Sequence, residues 1–195
     1  EKFFDRVNHD ILIDRLRKRI DDAGIIRLIR AYLNSGIMSE GVVLERYQGT
    51  PQGGPLSPLL ANVLLDEVDK MLEKQGQCFA RYADDCNVYV RSWKAGERVM
   101  ALLQKCYAKL QLKVNGTKSA VAGVAGRKFL GYSIRFAKEG AKRRVADKPM
   151  ETFKQRIRQL TRRTVGRSME QVIEALRNYL LGWKAYFGLA QSRTV

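Results

Sequence analysis

Apolar residues recur at helical spacing in "HDILIDRLRKRI" (residues 9–20), where Leu12, Leu16 and Ile20 share a face and Asp10 suits the cap. "DAGIIRLIRAYLNSG" (22–36) repeats the pattern and stops at Asn34-Ser35-Gly36. β-Branched residues in "GVVLERY" (41–47) predict a strand. A Gly- and Pro-rich loop from Gln48 then runs into a long helix lined on one side by Leu60, Leu64, Val68, Met71 and Leu72. Ser57 can cap this helix, and Pro58 fits its first turn. "FARYADDCNVYV" (79–90) predicts strand, turn, strand, with Asn87 and Tyr89 alternating against Val88 and Val90.

Helical spacing returns in 95–111 through Val99, Leu102, Leu103 and Leu110. "VNGT" (114–117) is a turn signal, and "RKFLGYSIRF" (127–136) predicts a strand beside a basic hairpin near Lys142–Arg144. Past Pro149 the pattern is wholly helical. Phe153, Ile157 and Leu160 share one face, and "SMEQ" (168–171) opens a second helix with a capping box. The predicted class is α+β: an antiparallel or mixed sheet backed by helices over 1–146, then a small all-helical domain over 147–195. The expected boundary lies at Ala146–Pro149.

Composition sharpens this picture. With 45% hydrophobic and 29% charged residues, the chain is globular in type. No apolar run approaches the ~20 residues of a membrane span and no secretory signal is present, so a cytoplasmic protein is expected. Cys78, Cys86 and Cys106 are odd in number and lack metal-site spacing, which fits reduced thiols. The net charge of +16 is uneven: residues 1–125 are net +4 and residues 126–195 net +12. That concentration points to a polyanion, most simply nucleic acid.

Against this background Asp84 and Asp85 stand out. Adjacent strand side chains point to opposite faces, so the two carboxylates can converge only at a hairpin turn. Two like charges there are tolerated either by solvent or by a cation. Paired carboxylates offer the hard oxygens that Mg²⁺ takes, and in a basic protein such a site suits two-metal phosphoryl transfer.

"YADD" (82–85) between apolar strands resembles the catalytic hairpin of reverse transcriptases. "QGTPQGGPLSPLLANVLLDEVD" (48–69) is similar to the substrate loop and helix before it in bacterial members, and "EKFFDRVNHDIL" (1–12) to the end of their first catalytic motif. "LKVNGTKSAV" (112–121) and "RKFLGYSI" (127–134) resemble the two motifs that follow, and "RSMEQVIEALRNYLLGWKAYFG" the maturase or thumb region of group II intron-encoded proteins. The order is kept over nearly the whole chain.

The resemblance implies a reverse-transcriptase palm followed by a helical thumb, acting as an RNA-directed DNA polymerase with two Mg²⁺ ions and a maturase role in splicing. It implies Asp84 and Asp85 as metal-binding catalytic acids and Lys118 as the residue facing pyrophosphate. Phe4, Gln52, Gly53 and Gly54 would form the nucleotide pocket, Phe4 as the sugar-selecting aromatic. Phe129, Leu130 and Gly131 would form the primer grip, and Lys154, Arg158, Arg162, Arg163 and Arg167 would hold nucleic acid. The implied partners are RNA template, intron RNA, DNA primer and deoxynucleoside triphosphates.

The family places a further metal-binding aspartate two residues before the position of Glu1, after a fingers region. The chain opens at Glu1 without methionine, as an internal piece would, and these 195 residues alone are expected to be inactive as a polymerase. Two other readings stay open: a non-catalytic RNA-binding maturase-like module, and a retron or defence-type reverse transcriptase.

Overall fold

The computed structural model describes residues 3–35, 37–39, 42–44, 48–50, 54–163 and 166–191. Two compact units divide between Ala122 and Gly123. The first contains α1 (Phe3–Arg6), α2 (His9–Arg17), α3 (Ala23–Asn34), β1 (Ile37–Ser39), β2 (Val42–Leu44), α4 (Ser57–Lys74), β3 (Cys78–Tyr82), β4 (Asp85–Tyr89) and α5 (Trp93–Lys109). The second contains β5 (Lys128–Phe129), β6 (Tyr132–Ala137), β7 (Gly140–Val145), α6 (Asp147–Leu160) and α7 (Met169–Phe187).

The periodic apolar residues of the first unit do what their spacing predicts. Leu60, Ala61, Leu64, Leu65, Val68 and Leu72 of α4 are buried against Leu12, Ile13 and Leu16 of α2 and Ile26 and Leu33 of α3. Val99 and Cys106 of α5, with Leu110 and Leu112 just beyond it, complete this core. The chain leaves α4 through Gly76, whose φ of 63° is the left-handed form that ends helices. Gln77 N donates to Leu72 O at 3.0 Å there, closing the helix end.

Two helix starts differ from expectation. Asn8, not Asp10, caps α2, accepting from Ile11 N at 3.0 Å. Both residue types cap well, and the apolar period cannot separate them. At α4 the N-cap is Leu56, without a side-chain cap. Ser57 lies inside the first turn, with its hydroxyl 3.3 Å from that of Tyr32. Ser168 and Gln171 form the expected capping box of α7.

All described strand pairs are antiparallel, and they form three small sheets: β1–β2, β3–β4 and β5–β6–β7. The stretch 127–136 is not one strand. Phe129 pairs with Tyr132, so Leu130 and Gly131 form a two-residue turn with φ of 51° and 78°. Positive φ at both positions is the type I′ geometry that suits strand twist. A Cβ on Gly131 would also meet the Phe187 ring tightly, at 3.1 Å, so that the ring would have to give by a few tenths of an ångström. Tyr132, Phe187, Trp183 and Phe153 continue as a row of packed rings, with Phe153–Trp183 centroids 4.4 Å apart. The sheet β5–β7 therefore packs with α6 and α7, upstream of the division expected at Ala146. Among the described residues, no helix is long and apolar enough to cross a membrane.

Leu64 is fully buried at the centre of the first unit's core. Leu64→Ala is expected to lower stability by about 2–5 kcal/mol, measured by urea denaturation of the full chain.

Candidate active site: a carboxylate pair on a clamped hairpin

Tyr82 pairs with Asp85 and Arg81 with Cys86, so the β3–β4 hairpin turns through just Ala83 and Asp84. Tight two-residue loops need positive φ, usually supplied by glycine. Here Ala83 takes it, at 52°. A Cβ in that region costs on the order of 1–3 kcal/mol, so the surroundings must hold the turn. Asp84 and Asp85 are both exposed at the tip. Among the described residues, no hydrogen bond or ion pair engages either carboxylate. Two adjacent, unengaged hard-oxygen donors fit a divalent cation of the Mg²⁺ type. Among the described residues, no group of three or more His, Cys, Asp or Glu side chains is gathered closely enough to hold one by itself.

Alternation along the hairpin puts Phe79, Arg81, Cys86 and Val88 on one face. Phe79, Cys86 and Val88 pack on the core. Arg81 turns the same way and meets α4. Its Nε donates to Asp69 Oδ1 and Oδ2 at 2.8 and 3.0 Å, and Nη2 donates to Oδ2 at 2.6 Å. Nη1 donates to Asn62 Oδ1 at 2.9 Å and to the Ala83 carbonyl at 2.9 Å. Asn62 and Asp69 lie two turns apart on one helix face. The Arg81 and Asp69 side chains are only 11% and 21% exposed, against 51% and 34% for Arg19 and Asp66, so the first pair is the less screened. Its hydrogen bonds to Asp69 raise the Arg81 pKa above its ordinary value.

The opposite flank of α4 is tied to α2. Arg15 Nε donates to Glu67 at 2.7 Å, and Asp66 takes both Arg19 and Lys70. The Lys70 hydrogen bond first, and the Arg19 charge with it, hold the Asp66 carboxyl below its usual range.

The loop leading to α4 is anchored before it reaches the glycines. Gly49 N donates to Val7 O at 2.8 Å, and His9 Nε2 donates to Gly49 O at 2.6 Å. His9 Nδ1 lies 3.2 Å from the Asn34 side-chain amide. This single histidine sits buried in the first turn of α2 and fastens the loop. Gln52 and Gly53 lie outside the described residues. Gly54 O accepts from Ser57 N at 3.2 Å, where α4 begins. Phe4 belongs to the backbone of α1. Lys118 is exposed on a turn that Asn115 organises by accepting from Thr117 N and Lys118 N at 3.0 and 3.2 Å.

In the second unit Phe129 ends β5, and Leu130 and Gly131 form the turn rather than strand core. Leu130 O accepts from the Tyr186 hydroxyl at 3.2 Å and Gly131 O from Ala146 N at 2.8 Å. Lys154 and Arg158 are exposed on α6, while Arg162, Arg163 and Arg167 are exposed in the connection to α7. Trp183 and Phe187 pack against each other, with ring centroids 4.2 Å apart, and Trp183 also against Phe153. Sequence patterning missed Arg81, which reads as one polar position in a strand. The available signal was Asn62 and Asp69, polar at a seven-residue interval on one face of α4.

Reverse transcriptase (RNA-dependent DNA polymerase) is the family description that matches residues 1–134, and group II intron, maturase-specific domain matches residues 150–195. Protein YkfC of Escherichia coli (strain K12) is 28% identical over 170 residues, which are 68% of this chain and 44% of that protein. Group II intron-encoded protein LtrA of Lactococcus lactis subsp. cremoris is 42% identical over 69 residues, 35% of this chain and 12% of LtrA. Retron Ec86 reverse transcriptase of Escherichia coli is 30% identical over 95 residues, 46% of this chain and 30% of that protein. The chain thus spans less than half the length of each of these relatives.

Cys86, next to Asp85, turns inward, and burial above all pushes its thiol up to about 11, with the Asp69 charge adding to the shift. At pH 8 roughly one such thiol in a thousand is ionised, and the thiolate is the reactive form. Iodoacetamide at pH 8 is expected to label exposed Cys78 first and Cys86 at least about a hundredfold more slowly, with the lag closing as pH rises toward 11. Peptide mass spectrometry over time reads this order.

Proposed function

We propose a specific role for this chain, which belongs to the reverse transcriptase (RNA-dependent DNA polymerase) family and is of the group II intron reverse transcriptase/maturase kind. Residues 1–146 serve as palm and 147–195 as thumb and maturase domain of an enzyme that copies RNA into DNA and assists the splicing of intron RNA. The observation that carries this is the carboxylate pair Asp84–Asp85, exposed and unengaged at the tip of a braced hairpin.

Asp84 and Asp85 would hold two Mg²⁺ ions together with a third carboxylate. Such ions lower the pKa of an attacking primer hydroxyl and stabilise the leaving pyrophosphate. Gly54, with Gln52 and Gly53, lines the nucleotide, because glycine lets backbone approach a ligand closely. Phe4 limits the sugar edge and rejects a 2′-hydroxyl. Lys118, an exposed cation on an ordered turn, faces the pyrophosphate. The Phe129–Gly131 turn supports the primer end. Lys154, Arg158, Arg162, Arg163 and Arg167 neutralise phosphates of the template-primer duplex or of intron RNA. The protein works in the cytoplasm with its RNA.

Mn²⁺, used as a paramagnetic probe for Mg²⁺, is expected to broaden the Asp84 and Asp85 amides selectively in the full chain. The double variant Asp84→Asn/Asp85→Asn should weaken this by about tenfold or more. No broadening at the tip, or broadening unchanged in the double variant, overturns the metal role. This chain is expected to extend a DNA primer on RNA at background level, and robust extension lost in Asp84→Ala would overturn that expectation.

RNA affinity is expected to fall steeply with salt. Replacing the five thumb cations by alanine should reduce the slope of log affinity against log salt by up to about 4. A slope near zero in the unmodified protein would rule out phosphate contacts by these residues.

A further inference from the structure

We propose that Arg81 is a positioning residue for the carboxylate pair, holding the Ala83–Asp84 turn against helix α4 through Asp69, Asn62 and the Ala83 carbonyl. The proposal rests on the metal role assigned to Asp84 and Asp85.

The guanidinium places four of its five N–H donors. Nε and Nη2 take both oxygens of Asp69, and the two hydrogens of Nη1 go to Asn62 and to the turn itself. Two pieces of chain meet at this one planar group: Asn62 and Asp69 on one face of α4, and the carbonyl immediately before Asp84. Arginine can make such a set because its donors are coplanar and fixed, whereas a lysine ammonium has one nitrogen on a flexible stem.

The turn needs the restraint. Ala83 sits at φ 52°, a conformation an alanine leaves readily unless its neighbours over-determine it. The contact to the Ala83 carbonyl fixes the peptide that joins Ala83 to Asp84, and so fixes where the Asp84 carboxylate begins. The other end of the fork is on the helix that starts three residues after Gly54. Arg81 thereby sets the aspartate tip relative to the helix that the glycine loop feeds. A group that orients metal ligands from behind, without touching the metal, acts as an outer-shell partner, and loss of such partners lowers metal affinity about 10–100-fold.

Two variants test this in the full chain. Arg81→Lys keeps a cation beside Asp69 but cannot fill the fork. Arg81→Met/Asp69→Leu removes both charges, so that no unpaired ion is left buried and the fold is retained. For each, amide chemical shifts report the turn, and Mn²⁺ broadening at Asp84 and Asp85 reports cation affinity. Both variants are expected to keep the α2 and α3 shifts, move those of Ala83–Asp85, and bind Mn²⁺ about tenfold or more weakly. Unmoved tip shifts with Mn²⁺ affinity within about twofold of the unmodified protein would overturn the positioning role. If the unmodified protein itself shows no Mn²⁺ at the tip, the metal role fails. The tip shifts then decide alone: displaced, they support Arg81 as the brace of the turn, and unmoved, they overturn it.

Discussion

Helix α4 is held by its buried stripe and by ion pairs on its polar residues, and the first unit is arranged by that constraint. Its apolar stripe from Leu60 to Leu72 is buried with α2, α3 and α5. One polar flank is matched to α2 through Asp66 and Glu67, and another to the hairpin through Asn62 and Asp69. A helix gripped this way cannot rotate by one residue without exposing leucines and separating charges together. Whatever is fastened to it inherits that fixity. At its N-terminus this is the glycine loop, itself pinned one step earlier by His9 and Val7, and alongside it is the hairpin that carries the two aspartates.

The helices were legible because burial on one side imposes a period that survives any detail of packing. Their ends were less so. Asp10 and Asn8 are two residues apart and equally able to cap, and only the observed bond to Ile11 N separates them. The 127–136 run hid its turn because Leu130 is not a turn residue; the packing of Phe187 over Gly131 and the Tyr186 bond to Leu130 O hold it there. Helix α6 stops at Leu160, so Arg162 and Arg163 lie in the connection to α7 rather than on that helix. The aspartate hairpin could be inferred from adjacency alone, since no strand lets neighbours converge. Its brace could not, because Arg81 acquires meaning only when α4 lies beneath it.

The same alternation explains why an arginine so near the aspartates does not neutralise them. Arg81 and Cys86 point inward, toward α4 and α5, while Asp85 belongs to the outward face with Asn87 and Tyr89. Asp84 is in the turn, beyond both faces. The cation is therefore saturated by Asp69, a carboxylate supplied from the helix side, and its remaining donors go to neutral oxygens. Had Arg81 been able to reach Asp84 or Asp85, the pair would lose part of its negative potential. Asp69 thus protects the charge of the tip without lying at it. The repulsion between the two aspartates is left uncompensated by the protein and is open to be relieved by a cation from solvent.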